Sequence, residues 1–89
     1  MSRDSVVIVA ARRTPIGAFQ GALSTVAAPE LFAIAARTCL AEANLQGGDI
    51  SESLIGCVLQ AGIGQSPARQ ASLSAGVPIS VPTTTINKV

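Results

Sequence analysis

Hydrophobic residues fall into short runs and helical faces punctuated by glycine and proline, a pattern that predicts alternating strands and helices. Val6–Ala11 (VVIVAA) is a continuous apolar run, β-branched at its start, and predicts a central strand covered on both faces. Arg12–Gly21 (RRTPIGAFQG) breaks that run with a proline and two glycines, the composition of an ordered loop and not of a flexible linker. Pro29 suits a first helical turn, where its missing N–H is no loss, and Glu30 suits the positive end of the helix dipole. A helix is predicted from there to Ala43, with Leu31, Ile34, Ala35, Cys39 and Leu40 on its apolar face and Glu30, Arg37 and Glu42 in polar surroundings. Gly47 and Gly48, following Asn44, end the segment.

Leu54–Leu59 (LIGCVL) has the length of a strand; periodicity leaves a buried helix open, but Gly56 inside the run favours the strand. Gln60–Gln65 (QAGIGQ) reads as a glycine-rich turn, after which Ser66 can cap a helix of about two turns that begins at Pro67 and ends at Gly76. Thr83–Val89 (TTTINKV), rich in β-branched residues and free of glycine and proline, predicts a third strand. Strand, helix, strand, helix, strand is the order of a layered α/β unit, and any parallel crossover in it is expected to be right-handed. An apolar strand with no polar tail after Val89 reads as a cut in a longer protein.

Composition points the same way. At 89 residues one domain is the ceiling, yet 48% of the residues are hydrophobic and 12% charged, against roughly 25% charged in a typical soluble domain. A small domain needs polar residues to cover its surface, so much of this apolar surface is expected to be covered by other protein. The basic residues Arg3, Arg12, Arg13, Arg37, Arg69 and Lys88 are scattered and only two aromatics are present, which argues against a nucleic-acid surface. The apolar run at Val6–Ala11 is far shorter than the roughly 20 residues that span a bilayer, and Met1–Asp4 supplies no basic leader. An intracellular, soluble protein, with neither nucleic acid nor membrane as partner, is the expectation. Cys39 and Cys57 stand outside any Cys-x-x-Cys pair in a chain without histidine, so no metal site is expected and both read as small buried thiols, not catalytic ones.

Several separated blocks, in fixed order over Val6 to Val89, resemble the thiolase family. Val6-Val7-Ile8-Val9 followed by Arg13-Thr14-Pro15-Ile16-Gly17-Ala18-Phe19-Gln20-Gly21 is similar to that family's first strand and loop. Val58-Leu59-Gln60-Ala61-Gly62 leads into Gly64-Gln65-Ser66-Pro67-Ala68-Arg69-Gln70, similar to the family's Gly-Gln-x-Pro-Ala-Arg-Gln loop and helix start, and Ala75-Gly76-Val77-Pro78 closes the helix. Thr85-Ile86-Asn87-Lys88-Val89 resembles the strand that delivers the nucleophile in the pattern Asn-x-x-Cys-x-Ser-Gly, of which this chain supplies Asn87 and the two spacers. One departure is Phe32, where thiolases commonly carry a small residue; an aromatic in a tight packing site costs about 1 to 3 kcal/mol unless its neighbours adjust.

The resemblance implies the N-terminal part of the first domain of the layered α/β/α/β/α thiolase fold, with the remainder of the same enzyme as partner. It implies two-step acyl transfer: a cysteine thiolate takes an acyl group from an acyl-CoA, and the acyl-enzyme reacts with acetyl-CoA or free CoA. Two acetyl-CoA are condensed to acetoacetyl-CoA, or a 3-ketoacyl-CoA is cleaved. Such chemistry needs an activated nucleophile, an acid/base group and oxyanion donors. By the resemblance these groups lie after Val89, so no catalytic, cofactor-binding or metal residue is expected within the segment. Coenzyme A thioesters enter as substrates, and the segment serves as scaffold, presenting the cysteine at a strand-to-helix turn where a helix N-terminus favours a thiolate. Three residues are candidates for support or interface roles: Asn87 as an orienting group, and Arg69 and Gln65 near a subunit contact. Arg12 and Arg13 are read as structural, because the family keeps its CoA contacts mainly on later segments. A homodimer or homotetramer in the cytoplasm or an organelle matrix is expected. Two rival readings are a β-ketoacyl synthase-type condensing enzyme, against which the Arg13–Gly21 and Gly64–Gln70 blocks speak, and a non-catalytic α/β interaction module.

Overall fold

The computed structural model describes residues 4–88; Met1–Arg3 and Val89, the last residue of the predicted third strand, lie outside the described residues. The elements in chain order are α1 (Ala28–Glu42), a short 3-10 turn (Gly47–Asp49), β1 (Ser53–Gly56), α2 (Pro67–Ser74) and β2 (Thr83–Ile86).

Both helices stop for the same reason. After α1 the chain enters the left-handed region at Asn44 (φ 59°), and the amides of Asn44 and Leu45 turn back to the carbonyls of Ala41 and Leu40. After α2 Gly76 (φ 92°) does the same, with Gly76 N–H on Leu73 O and Val77 N–H on Ser72 O. These bonds satisfy carbonyls that the helix itself leaves unpaired. The stop of α1 at Asn44 precedes the glycines expected to end it. Gly47 is needed for a different reason, since a Cβ there would run into the carbonyl of Gly76; the two helix ends approach as closely as glycine allows.

β1 and β2 form a two-stranded parallel sheet in which Ser53 pairs with Thr83, Ile55 with Thr85 and Gly56 with Ile86. Backbone bonds from Ser53 N–H to Pro82 O and from Cys57 N–H to Ile86 O extend the ladder. α2 connects the strands and packs on one face through Ala68 and Ala71, 0% and 1% exposed, against Ile55. Leu54, Thr84 and Ile86 are exposed on the other face, as strand alternation requires.

Two expectations are corrected. Val6–Ala11 is not a strand: it makes no ladder bonds to β1 or β2, and Ile8 is 88% exposed. A parallel strand exists only through its neighbours' N–H and C=O groups, and the described strands pair with one another instead. The radius of gyration is 14.4 Å, above the roughly 12 Å of a compact chain of this length. The buried stripe of α1 also differs from the predicted one. Pro29 and Ala33 are its buried residues, while Leu31, Ala35, Cys39 and Leu40 are half-buried and Ile34 is exposed. Small side chains let α1 approach α2, and Arg37, one turn beyond Ala33, donates to Ser74 O at the end of α2 (2.7 Å) and pairs with Glu30 (3.0 Å).

Candidate functional site

The predicted support residues gather where the end of β2 meets the start of α2. Pro67 has no N–H to satisfy, and each of the next three amides has a partner. Ala68 N–H donates to Thr85 Oγ1 on β2 (3.1 Å), Arg69 N–H to Ser66 Oγ (3.3 Å) and Gln70 N–H to Ser66 O (3.1 Å). The first turn of the helix is therefore capped jointly by its own serine and by a threonine of the neighbouring strand. Ser66 reaches this position in the left-handed region, φ 41°, a conformation that costs a non-glycine residue energy and is held by these bonds.

Arg69 is half-buried and its guanidinium donates to Val81 O (3.4 Å), at the loop entering β2. Gln65 is exposed, and its carbonyl accepts from the side-chain amide of Gln70 (2.8 Å), which also donates to Ile63 O (2.9 Å). Gln70 thus holds both ends of the Gly64 turn. Asn87 lies one residue beyond β2 and is exposed. The structure brings Arg69 and Gln65 to the same helix start and leaves Asn87 at the strand end, two residues past Thr85. Ser66 caps the helix as the sequence predicts, whereas Thr85 and Gln70 carry no role in the sequence reading. The signal for Thr85 was alternation: in TTTI, Thr83 and Thr85 share the covered face and Thr84 points away.

The remaining candidates stand elsewhere. Arg12 pairs with Glu42 at 2.7 Å, both exposed, and Glu42 raises the guanidinium above its ordinary pKa, first through the hydrogen bond and then through charge attraction. Arg13 donates to the carbonyl of Thr14. Neither arginine is near the start of α2 through any described contact. Cys39 and Cys57 are free and half-buried, and the Cys57 thiol approaches Leu59 O at 3.8 Å. Cys57 lines an apolar pocket of about 80 Å³ together with Pro29, Phe32, Ile55, Pro67 and Ala71. Phe32 lines this pocket and is 37% exposed, so the aromatic borders a gap and is not enclosed in a tight contact. Among the described residues no three His, Cys, Asp or Glu side chains cluster to hold a metal ion. No described helix is long and apolar enough to cross a membrane.

A family profile, "Thiolase, N-terminal domain", matches residues 6–89. The chain belongs to the thiolase family. Among curated relatives, it is 54% identical over 86 residues to a mitochondrial acetyl-CoA acetyltransferase of Xenopus tropicalis, covering 97% of this chain and 20% of that protein. It is 52% identical over 86 residues to an acetyl-CoA acetyltransferase of Pseudomonas aeruginosa, covering 97% of this chain and 22% of that protein. Among solved structures, the Acat5 thiolase of Ascaris suum in complex with coenzyme A superposes with a TM-score of 0.83 at 38% identity, over 86% of this chain and 20% of that one. The thiolase likeness thus extends to the three-dimensional fold, and the α/β reading of the sequence holds. This thiolase chain spans about a fifth of the length of the curated relatives it matches.

Proposed function

We propose that the chain is the N-terminal portion of the first domain of a thiolase-type acyl-CoA C-acyltransferase. The whole protein condenses two acetyl-CoA to acetoacetyl-CoA, or cleaves a 3-ketoacyl-CoA with CoA, through an acyl-cysteine. The observation that carries this reading is the match to the thiolase N-terminal domain over residues 6–89, joined to identities above 50% with acetyl-CoA acetyltransferases.

In this mechanism a cysteine in the position after Val89 attacks the thioester carbonyl; the carbon–sulfur bond to CoA breaks, and CoA leaves as a thiol after taking a proton. In condensation a base then removes a proton from the methyl carbon of a second acetyl-CoA. The resulting carbanion attacks the acyl-cysteine carbonyl, a carbon–carbon bond forms and the cysteine departs as thiolate. Thiolysis runs these steps in reverse. The described residues supply the frame: β2 leads toward the nucleophile, and α2 with its capped first turn holds β2 in place. Asn87 orients groups at the strand end, while Arg69 and Gln65 brace the loops there and lie toward a subunit contact. The exposed apolar residues Val6, Ile8, Leu59 and Ile79 support burial against the rest of the enzyme and its other subunits, as a homodimer or homotetramer. Mitochondrial and bacterial names among the relatives fit a location in the cytoplasm or an organelle matrix.

Incubating the full-length protein with acetoacetyl-CoA and CoA tests the proposal. Acetyl-CoA is the expected product, and its formation is expected to cease when the protein is first alkylated with iodoacetamide. A full-length, folded protein that forms no acetyl-CoA overturns the reading.

A further inference from the structure

We infer that Thr85 is a positioning residue, whose hydroxyl fixes the end of β2 against the start of α2 and so sets where the strand delivers the reacting cysteine. The inference rests on the thiolase reading above for that cysteine, and on the described geometry for everything else.

Thr85 Oγ1 accepts the Ala68 amide at 3.1 Å and lies 3.4 Å from Ser66 Oγ, which accepts the Arg69 amide. One strand hydroxyl therefore completes the cap of a helix that its own serine covers only in part. No other side chain of the β2 strand bonds to α2 among the described residues: Thr83 turns to Val81 O, and the second strand-to-helix pin, Ser53 to Ser72 at 2.8 Å, belongs to β1. The contact is intolerant of sliding. Ala68 and Ala71 are fully packed, and a slip of one residue would replace Thr85 by the outward-facing Thr84 or Ile86. Without the hydroxyl, the Ala68 amide at the strand–helix contact loses its acceptor, and relaxation at this point moves the strand end. Small displacements of a reacting group cost rate far more than they cost substrate binding, up to about a hundredfold for about 1 Å.

The test uses the full-length enzyme with Thr85→Val, which keeps the shape and removes the hydroxyl, and Thr85→Ser, which keeps the hydroxyl and removes a methyl. Thr85→Val is expected to lower kcat for acetoacetyl-CoA thiolysis by about tenfold or more, with KM changed less than about twofold, and to speed hydrogen exchange at the Ala68 amide. Thr85→Ser is expected to keep kcat and exchange near wild type. Wild-type kcat in Thr85→Val overturns the inference. So does a Thr85→Ser enzyme with its kcat reduced as far as that of Thr85→Val, or reduced about tenfold where Thr85→Val does not fold, because the methyl and not the hydroxyl is then what matters. A folded wild-type protein without thiolysis overturns the functional reading instead. In that case Ala68 exchange still decides the lock: faster exchange in Thr85→Val alone supports it, and equal exchange in all three proteins removes it.

Discussion

The segment before α1 and the β1–α2–β2 unit are both apolar, yet they meet opposite fates. Val6 to Val9 are exposed, whereas Ile55, Ala68 and Ala71 form a closed core. Hydrophobicity is common to both; what differs is whether the partner lies within the same 89 residues. α2 gives β1 and β2 a shared cover and each strand gives the other its ladder, while the described tie of the N-terminal segment to α1 is an exposed ion pair, Arg12 with Glu42. A run that reads as a central strand is a statement about the company it needs, and here the described residues do not supply that company.

The sharpest way to break this comparison is to truncate one residue in each region. Ile55→Ala removes packing against Ala68 and Ala71 and is expected to cost about 3 kcal/mol by denaturant unfolding, both in the 89-residue chain and in the full-length protein. Ile8→Ala is expected to cost nothing measurable in the short chain but about 2 kcal/mol or more in the full-length protein, where the proposed function has the remainder cover it. Equal costs for Ile8→Ala in both contexts would erase the distinction. A smaller effect is expected for Ser72→Ala: Ser72 is buried and bonded to half-buried Ser53, so the loss is about 1 kcal/mol in the same measurement. The smallest belongs to Arg12→Ala, with an unchanged thermal midpoint, because the pair is exposed on both sides. Since Glu42 raises the guanidinium's pKa, the pair's contribution through Arg12 is present at neutral pH and is lost only as pH climbs into the strongly alkaline range. The pH dependence of unfolding near neutrality should therefore be the same with and without Arg12.

Much of the β1–α2–β2 unit was legible because its signals are local. Ser66-Pro67 marks the start of α2 and Gly76 its stop, both where the sequence puts them, while the threonine-rich strand starts at Thr83 as expected but ends at Ile86, leaving Asn87 and Lys88 of the predicted run outside it. β1 was visible but shorter than its apolar run, ending at Gly56 where Leu54–Leu59 was expected. The buried stripe of α1 differs from the expected one because hydrophobic size does not decide burial there. Ala33 is 0% exposed while Ile34 is 42% exposed, since a close helix–helix contact selects small residues. At the candidate site, the motif names Arg69 and Gln65, but the Thr85–Ala68 bond was not legible. A hydroxyl on a strand carries no mark of which amide it will meet until the crossover is folded.

The way α2 grips the sheet has a mechanical consequence. Ser72 holds the beginning of β1 and Ala68 holds the third residue of β2, so the attachments sit at opposite ends of one rod. A pull along either strand loads both fasteners and the ladder between them together, which makes the trio yield as a single block and transmits a tug at one strand tip to the far end of the other.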